Sequence, residues 1–153
     1  MRRLVIYADG AARGNPGPAG IGVVIEDERG QVLKEVSQFV GRKTNNQAEY
    51  MALIQGLEAV AEYQADAVLA RLDSELLVRQ LRGEYKVKSP LLKPLMRQVR
   101  ELLARYKVVG IEHIEREYNR AADRLANRAI DAASLDELAE STTDNHQLSL
   151  WDQ

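Results

Sequence analysis

The sequence has 153 residues, enough for one domain with a core of its own. Hydrophobic residues make up 45% and charged residues 29%, ordinary values for a globular protein, and the absence of cysteine excludes disulfides, zinc–thiolate sites and thiol nucleophiles. The net charge of −2 argues against a protein that grips nucleic acid by bulk charge.

The charge is unevenly placed. Between Arg71 and Lys107 there are ten Lys/Arg against four Asp/Glu, whereas from Asp131 onward there are six Asp/Glu and no Lys/Arg. A basic segment is therefore masked by an acidic end, although a solvated helix face has the same composition. The opening segment, Met1 to Ala8, is too short for a secretory apolar core, and no apolar run reaches membrane-spanning length. With no cysteine, a reducing cytoplasm is the expected location.

In chain order, Leu4 to Ala8 is an apolar run rich in β-formers and predicts a buried strand ending at Asp9. A turn-rich loop, Gly14 to Pro18, leads to a strand over Ile21 to Glu26, and Glu28 to Gly30 turns the chain into a third over Val32 to Val40. Short connections imply antiparallel pairing. Thr44, Asn45 and Asn46 offer N-cap chemistry for a helix over Gln47 to Tyr63, whose apolar stripe is Leu53, Leu57 and Val60. A fourth strand, Ala67 to Leu72, ends at Asp73. Helices follow over Glu75 to Arg82 and Leu91 to Tyr106, then a fifth strand over Val108 to Ile114 and a helix over Ala121 to Ala133. The order βββαβααβα predicts an α/β domain over 1–134, with a five-stranded mixed sheet flanked by helices. Residues 135–153 lose this pattern and read as a flexible acidic tail.

Four acids occupy notable positions. Asp9 and Asp73 each follow an apolar strand, where ligand crevices of open sheets form. Glu49 lies on the buried stripe of its helix, four residues before Leu53, where an unpaired charge is costly. Asp123 begins the last helix at the edge of its apolar face. Each acid alone is also the residue type that turns and helix starts use. Gathered in one cleft, they would repel one another unless a divalent cation neutralised them, and hard oxygen donors select Mg²⁺ or Mn²⁺ over zinc.

Asp9-Gly10-Ala11-Ala12-Arg13-Gly14-Asn15-Pro16-Gly17, Thr44-Asn45-Asn46-Gln47-Ala48-Glu49, Leu72-Asp73-Ser74 and Asn119-Arg120-Ala121-Ala122-Asp123-Arg124-Leu125-Ala126 stand in this order along the chain. The set resembles the four motifs of type 1 ribonucleases H, from about Arg3 to Ala133. The resemblance implies the ribonuclease H-like fold and hydrolysis of the RNA strand of RNA–DNA hybrids, leaving 5′-phosphate and 3′-hydroxyl ends. It implies two ions, Mg²⁺ or Mn²⁺, held by Asp9, Glu49, Asp73 and Asp123, one activating water and one stabilising the leaving oxygen. It also carries over Asn15, Asn45 and Asn46 as contacts to the RNA strand, and Arg42 and Thr44 as a pocket for a DNA-strand phosphate. Ser74 matches a small polar residue beside the third acid. Ser89 falls near a further phosphate contact, with Ser in place of the usual Asn.

The sequence departs from many members in two places. The loop before the last acid is Glu115-Arg116-Glu117-Tyr118, without the usual His, which resembles the archaeal-like subgroup; Arg116 is the candidate replacement, able to stabilise phosphate charge but not to act as a neutral base. His113 falls in the fifth strand and reads as structural. The connection Gly83 to Pro90 is short and lacks the Lys/Trp-rich insert that some relatives use to hold the hybrid; Arg79, Arg82, Lys86, Lys88 and Lys93 offer a partial substitute. The C-terminal Gln147-Leu148-Ser149-Leu150-Trp151 resembles the peptide by which bacterial replication proteins bind the sliding clamp, through Gln147, Leu148, Leu150 and Trp151. A monomer suffices for the four-acid site. Other substrates, such as double-stranded RNA or a DNA junction, and a non-catalytic hybrid-binding module are the alternatives.

Overall fold

In a computed structural model the backbone is described for residues 1–151 and the side chains for residues 1–140. Five strands form one sheet in the order β3-β2-β1-β4-β5. They are β1 (Arg3–Ala12), β2 (Gly17–Glu26), β3 (Val32–Lys43), β4 (Ala67–Leu72) and β5 (Val108–His113). The first three pair antiparallel; β4 joins β1, and β5 joins β4, in parallel. Four helices cover the sheet: α1 (Asn45–Val60), α2 (Glu75–Leu81), α3 (Lys93–Leu103) and α4 (Arg120–Trp151).

Side-chain alternation decides which face each helix covers. Leu4, Ile6 and Ala8 of β1, Ile21, Val23 and Ile25 of β2, and Val68, Ala70 and Leu72 of β4 are buried in one cluster with Leu53, Leu57 and Val60 of α1 and Met96, Val99 and Leu102 of α3. The opposite face of β1 and β2 is covered by α4 through Ala122, Leu125, Ala126, Ala129 and Ile130.

Two glycines let helices come close to the centre of the sheet. A Cβ on Gly10 would run into the backbone of Ala48 and Glu49 at the start of α1. A Cβ on Gly22, which pairs with Asp9, would run into the carbonyl of Ala122 at the start of α4. Only hydrogen at these positions allows the starts of α1 and α4 to lie against the backbone on either side of Asp9.

The predicted element order holds, with shifted boundaries. Asp9 does not end its strand. It sits inside β1, because pairing with β2 continues to Ala12 whereas pairing with β4 stops at Ala8 opposite Leu72. Asp9 therefore lies where the parallel half of the sheet ends and the antiparallel half goes on. The first helix begins two residues early, since its cap is Thr44 and not an asparagine: the Thr44 hydroxyl accepts from Gln47 N–H, and the Gln47 side chain accepts from Thr44 N–H. The last helix, predicted to stop at Ala133, runs on as α4 past the expected domain boundary at residue 134. The side chains of the C-terminal peptide, Gln147 to Trp151, lie outside the described residues. No helix among the described residues is long and apolar enough to cross a membrane.

Candidate active site

Asp9 is fixed by the central strand and is 9% exposed. Asp73 follows β4 directly, on the strand beside it. Glu49 comes from the second turn of α1 and Asp123 from the first turn of α4. The other three are close enough to Asp9 to act on its protonation. Burial, then the Asp73 charge, then Asp123 and Glu49, push the Asp9 carboxyl up to about 9, where it holds a proton shared toward Asp123. Burial pushes Glu49 up to about 7; a hydrogen bond from Ser74 and the Arg116 charge oppose this, and the Asp73 charge adds to it.

A site that resists ionisation at two of four carboxylates stores unfavourable electrostatics. Hard oxygen donors with this much mutual repulsion fit a divalent cation, which would reverse the shifts by favouring the charged forms. Among the described residues, no three of these acids or histidines close into a ready-made cage on their own.

One residue without an assigned role emerges from the geometry. Asn119 is 1% exposed, and its Nδ2 donates to the Ala8 carbonyl at 3.0 Å and to Asp73 Oδ2 at 2.9 Å. Its own carbonyl accepts from Asp123 N–H at 3.1 Å. Asn119 thus ties the residue before Asp9, the Asp73 carboxylate and the start of α4 together. Its place in the fourth motif was the only signal; nothing in sequence shows that the loop returns it to β4. Asn119→Ala is expected to lower kcat by about 10- to 100-fold with little change in KM, as when partners that orient a metal-binding carboxylate are lost. Unchanged kcat in steady-state assays would count against this role.

The predicted substrate residues divide by place. Asn15 Oδ1 accepts from Asn45 N–H at 3.1 Å, and Asn45 Oδ1 accepts from Ala12 N–H at 2.9 Å, so both side chains lock the β1–β2 turn onto the start of α1. Asn46 lies in the first turn of α1 and is half-buried. Arg42 is exposed on β3 opposite Pro18, two residues from the Thr44 cap. Ser74 caps α2, accepting from Leu77 N–H at 3.2 Å, beside Glu49. Ser89 instead caps the turn into α3, accepting from Leu91 N–H at 3.2 Å, and no described contact joins it to the acids. Arg116 stands in a 3₁₀ turn, Arg116–Tyr118, exposed and lining a cavity with Asp123. His113 closes β5, the strand expected to hold it, and is exposed.

The proposed basic substitute is narrower than its sequence. Arg79 is held by Glu75 at 2.8 Å and Glu84 at 3.4 Å and lies over the Tyr85 ring, and Arg82 donates to the Ile111 carbonyl at 2.6 Å. Both guanidinium groups brace the connection between α2 and α3, leaving Lys86, Lys88 and Lys93 as its free charge.

Residues 7–129 match the model of the reverse transcriptase-like family. Ribonuclease HI of Halobacterium salinarum is 44% identical over 131 residues, covering 86% of this chain and 66% of the relative. The crystal structure of RNase H1 from that archaeon superimposes with a TM-score of 0.83 at 44% identity, over 85% of this chain and 98% of that one. The chain belongs to the ribonuclease H family. LC11-RNase H1, solved in complex with an RNA/DNA hybrid, aligns with a TM-score of 0.81 at 48% identity, over 85% and 98% of the two chains. A bifunctional protein of Mycobacterium tuberculosis is 43% identical over 140 residues, 91% of this chain, but the match spans only 38% of that protein's length. The ribonuclease H fold thus accounts for nearly all of the described chain, with Asp9, Glu49, Asp73 and Asp123 around one point of its sheet.

Proposed function

We propose that this chain is an endoribonuclease that hydrolyses the RNA strand of RNA–DNA hybrids, leaving 5′-phosphate and 3′-hydroxyl ends. The observation that carries the reading is the gathering of four carboxylates at the junction of the parallel and antiparallel halves of the sheet, two of them held above their ordinary pKa range. When bound there, two ions, Mg²⁺ or Mn²⁺, supply an activated water and neutralise charge at the leaving oxygen. Asp9 and Asp73 hold fixed positions on rigid strands, while Glu49 and Asp123 close the site from two helix starts. Arg116, beside Glu49 and Asp123, faces the phosphate and stabilises its charge in place of the family's loop His. Asn15, Asn45 and Asn46 present amides that both donate and accept, the chemistry needed for 2′-hydroxyls of the RNA strand. Arg42 and Thr44 flank the start of α1, where a DNA-strand phosphate would meet backbone N–H groups and a guanidinium. Ser74 steadies Glu49, and Ser89 is retained only as an outlying phosphate contact.

Residues 82–92 connect α2 to α3 without a helix, which suits the archaeal-like subgroup that lacks a basic protrusion. The enzyme acts as a monomer in the cytoplasm. Incubation with RNA–DNA hybrid, double-stranded RNA and double-stranded DNA, each with Mg²⁺ or Mn²⁺, tests the reading. Cleavage of the hybrid's RNA strand alone supports it; cleavage of double-stranded RNA alone favours the alternative substrate, and binding without cleavage favours a non-catalytic module.

Within residues 135–153, Gln147, Leu148, Leu150 and Trp151 are proposed to bind the sliding clamp. Deleting Gln147 to Gln153 is expected to abolish clamp binding in surface plasmon resonance and leave nuclease activity intact. Absence of clamp binding by the full chain would rule this out.

A further inference from the structure

Five cationic side chains of the described residues are held by acceptors. Arg13 pairs with Asp131 at 2.7 Å, Lys34 with Glu62, Arg71 with Glu112, and Arg79 with Glu75 and Glu84. Arg82 is spent on a backbone carbonyl. A different group of arginines stands beside the four acids. Arg116, Arg120 and Arg124 line, with Glu117 and Asp123, an open cavity of about 450 Å³. All three arginines are exposed, and none of their guanidinium groups makes an ion pair or hydrogen bond among the described residues.

The charge balance of this cavity favours an anion. Three guanidinium groups face two carboxylates, and Asp123 belongs to the acid cluster, so cation binding there would remove its charge from the count. The cavity also lies at the first turn of α4, whose peptide dipoles add positive potential. Arg120 and Arg124 are four residues apart and so project from the same side of the helix, about 6 Å along its axis. Planar forks at that spacing suit the oxygens of a phosphodiester backbone and carry no preference for base.

We propose that Arg120 and Arg124 form a phosphate subsite for the RNA strand, next to the bond that is cut. This rests on the reading of the four acids as a hybrid-cleaving site. The strand follows from the wall the two places share: Asp123 borders the cavity, so the phosphates that reach Arg120 and Arg124 are neighbours of the one held at the acids. Arg116 remains with the reacting phosphate, while Arg120 and Arg124 fix the register of the strand. The subsite supplies grip on the cut strand itself, a role that the braced Arg79 and Arg82 do not fill.

The test compares Arg120→Ala/Arg124→Ala with a charge-matched control, Arg3→Ala/Arg29→Ala, two exposed arginines at the far end of β1 and the β2–β3 turn. Hybrid affinity is measured across a salt series in an Asp73→Asn background. The first pair is expected to weaken binding about tenfold or more and to flatten the slope of log K against log salt by roughly 1.5, whereas the control leaves the slope unchanged. In the active enzyme KM rises and kcat does not change. Arg120→Lys/Arg124→Lys restores the salt slope while recovering only part of the affinity, since charge is kept and the fork is lost. Hybrids carrying one neutral methylphosphonate at successive positions then locate the contact. One RNA-strand position near the cleavage site weakens the unsubstituted protein and has no further effect on the double variant. A slope equal to that of the control, or coupling confined to the DNA strand, overturns the proposal. Failure of the unsubstituted chain to cleave hybrid would instead overturn the reading beneath it, whatever the arginines do.

Discussion

Asp9→Asn is expected to abolish hydrolysis of the RNA strand and, in metal-free protein, to raise the melting temperature. The first effect follows from losing the central ligand of the acid cluster, and a drop in kcat of about a thousandfold or more is expected where a charge is removed from the point of phosphoryl transfer. The second follows from the protonation of Asp9. Its folded pKa of about 9 lies above the ordinary value of 3.8, so the folded chain binds a proton that the unfolded chain gives up at neutral pH. Stability is therefore lost as pH rises from about 4 toward 9. Asparagine resembles the protonated form, can still donate toward Asp123, and never ionises. Even two units of the shift correspond to about 2.7 kcal/mol, or roughly 5–10 °C for a domain of this size. The gain should be greatest at neutral to alkaline pH and vanish below about pH 4. Added Mg²⁺ should stabilise the unsubstituted protein and leave the variant largely unaffected. Thermal unfolding across pH, with and without Mg²⁺, checks all of these; a metal-free variant less stable than the parent at pH 7 would refute the electrostatic account.

The second large effect is on metal demand. Glu49 at about 7 and Asp9 at about 9 must both lose protons before the cluster can bind cations. Between pH 9 and 7 one proton competes with metal, so apparent affinity falls about tenfold for each unit of acidification; below 7 two protons compete and the fall approaches about a hundredfold per unit. Initial rates measured against Mg²⁺ concentration at pH 6, 7 and 8 should show half-saturation moving steeply to higher Mg²⁺ as pH drops, with the maximal rate largely recovered by excess metal. A half-saturation concentration that does not move with pH would show that these protons are not displaced by metal.

The element order and all four acids could be read from the chain because each is a local signal: an apolar run, a turn, an acid next to a periodic stripe. What escaped depends on partners distant in sequence. Asp9 looked like a strand end, since nothing in Leu4 to Ala8 shows that β2 continues to pair as far as Ala12. At Gly10 and Gly22, only the packing of α1 and α4 reveals that a side chain would strike helix backbone. Asn119 lay inside a quoted motif, but its bond to Asp73 spans 46 residues. Arg79 and Arg82 looked like substrate-facing charge because their acceptors are, respectively, neighbours whose geometry depends on the turn after α2 and a carbonyl on β5. The cap at α1 was ambiguous among Thr44, Asn45 and Asn46 until the β1–β2 turn claimed the Asn45 side chain.

The central claim is that these four carboxylates direct metal-dependent hydrolysis of the RNA strand of a hybrid. Analysis of product ends is its most direct test. A hybrid labelled on the RNA strand, incubated with the chain and Mg²⁺ or Mn²⁺, should yield RNA fragments with 5′-phosphate and 3′-hydroxyl ends, the DNA strand intact, and no fragments with Asp73→Asn. Intact RNA with both metals, equal cleavage by Asp73→Asn, or 2′,3′-cyclic phosphate ends, which would make the 2′-hydroxyl the nucleophile in place of water, would contradict it.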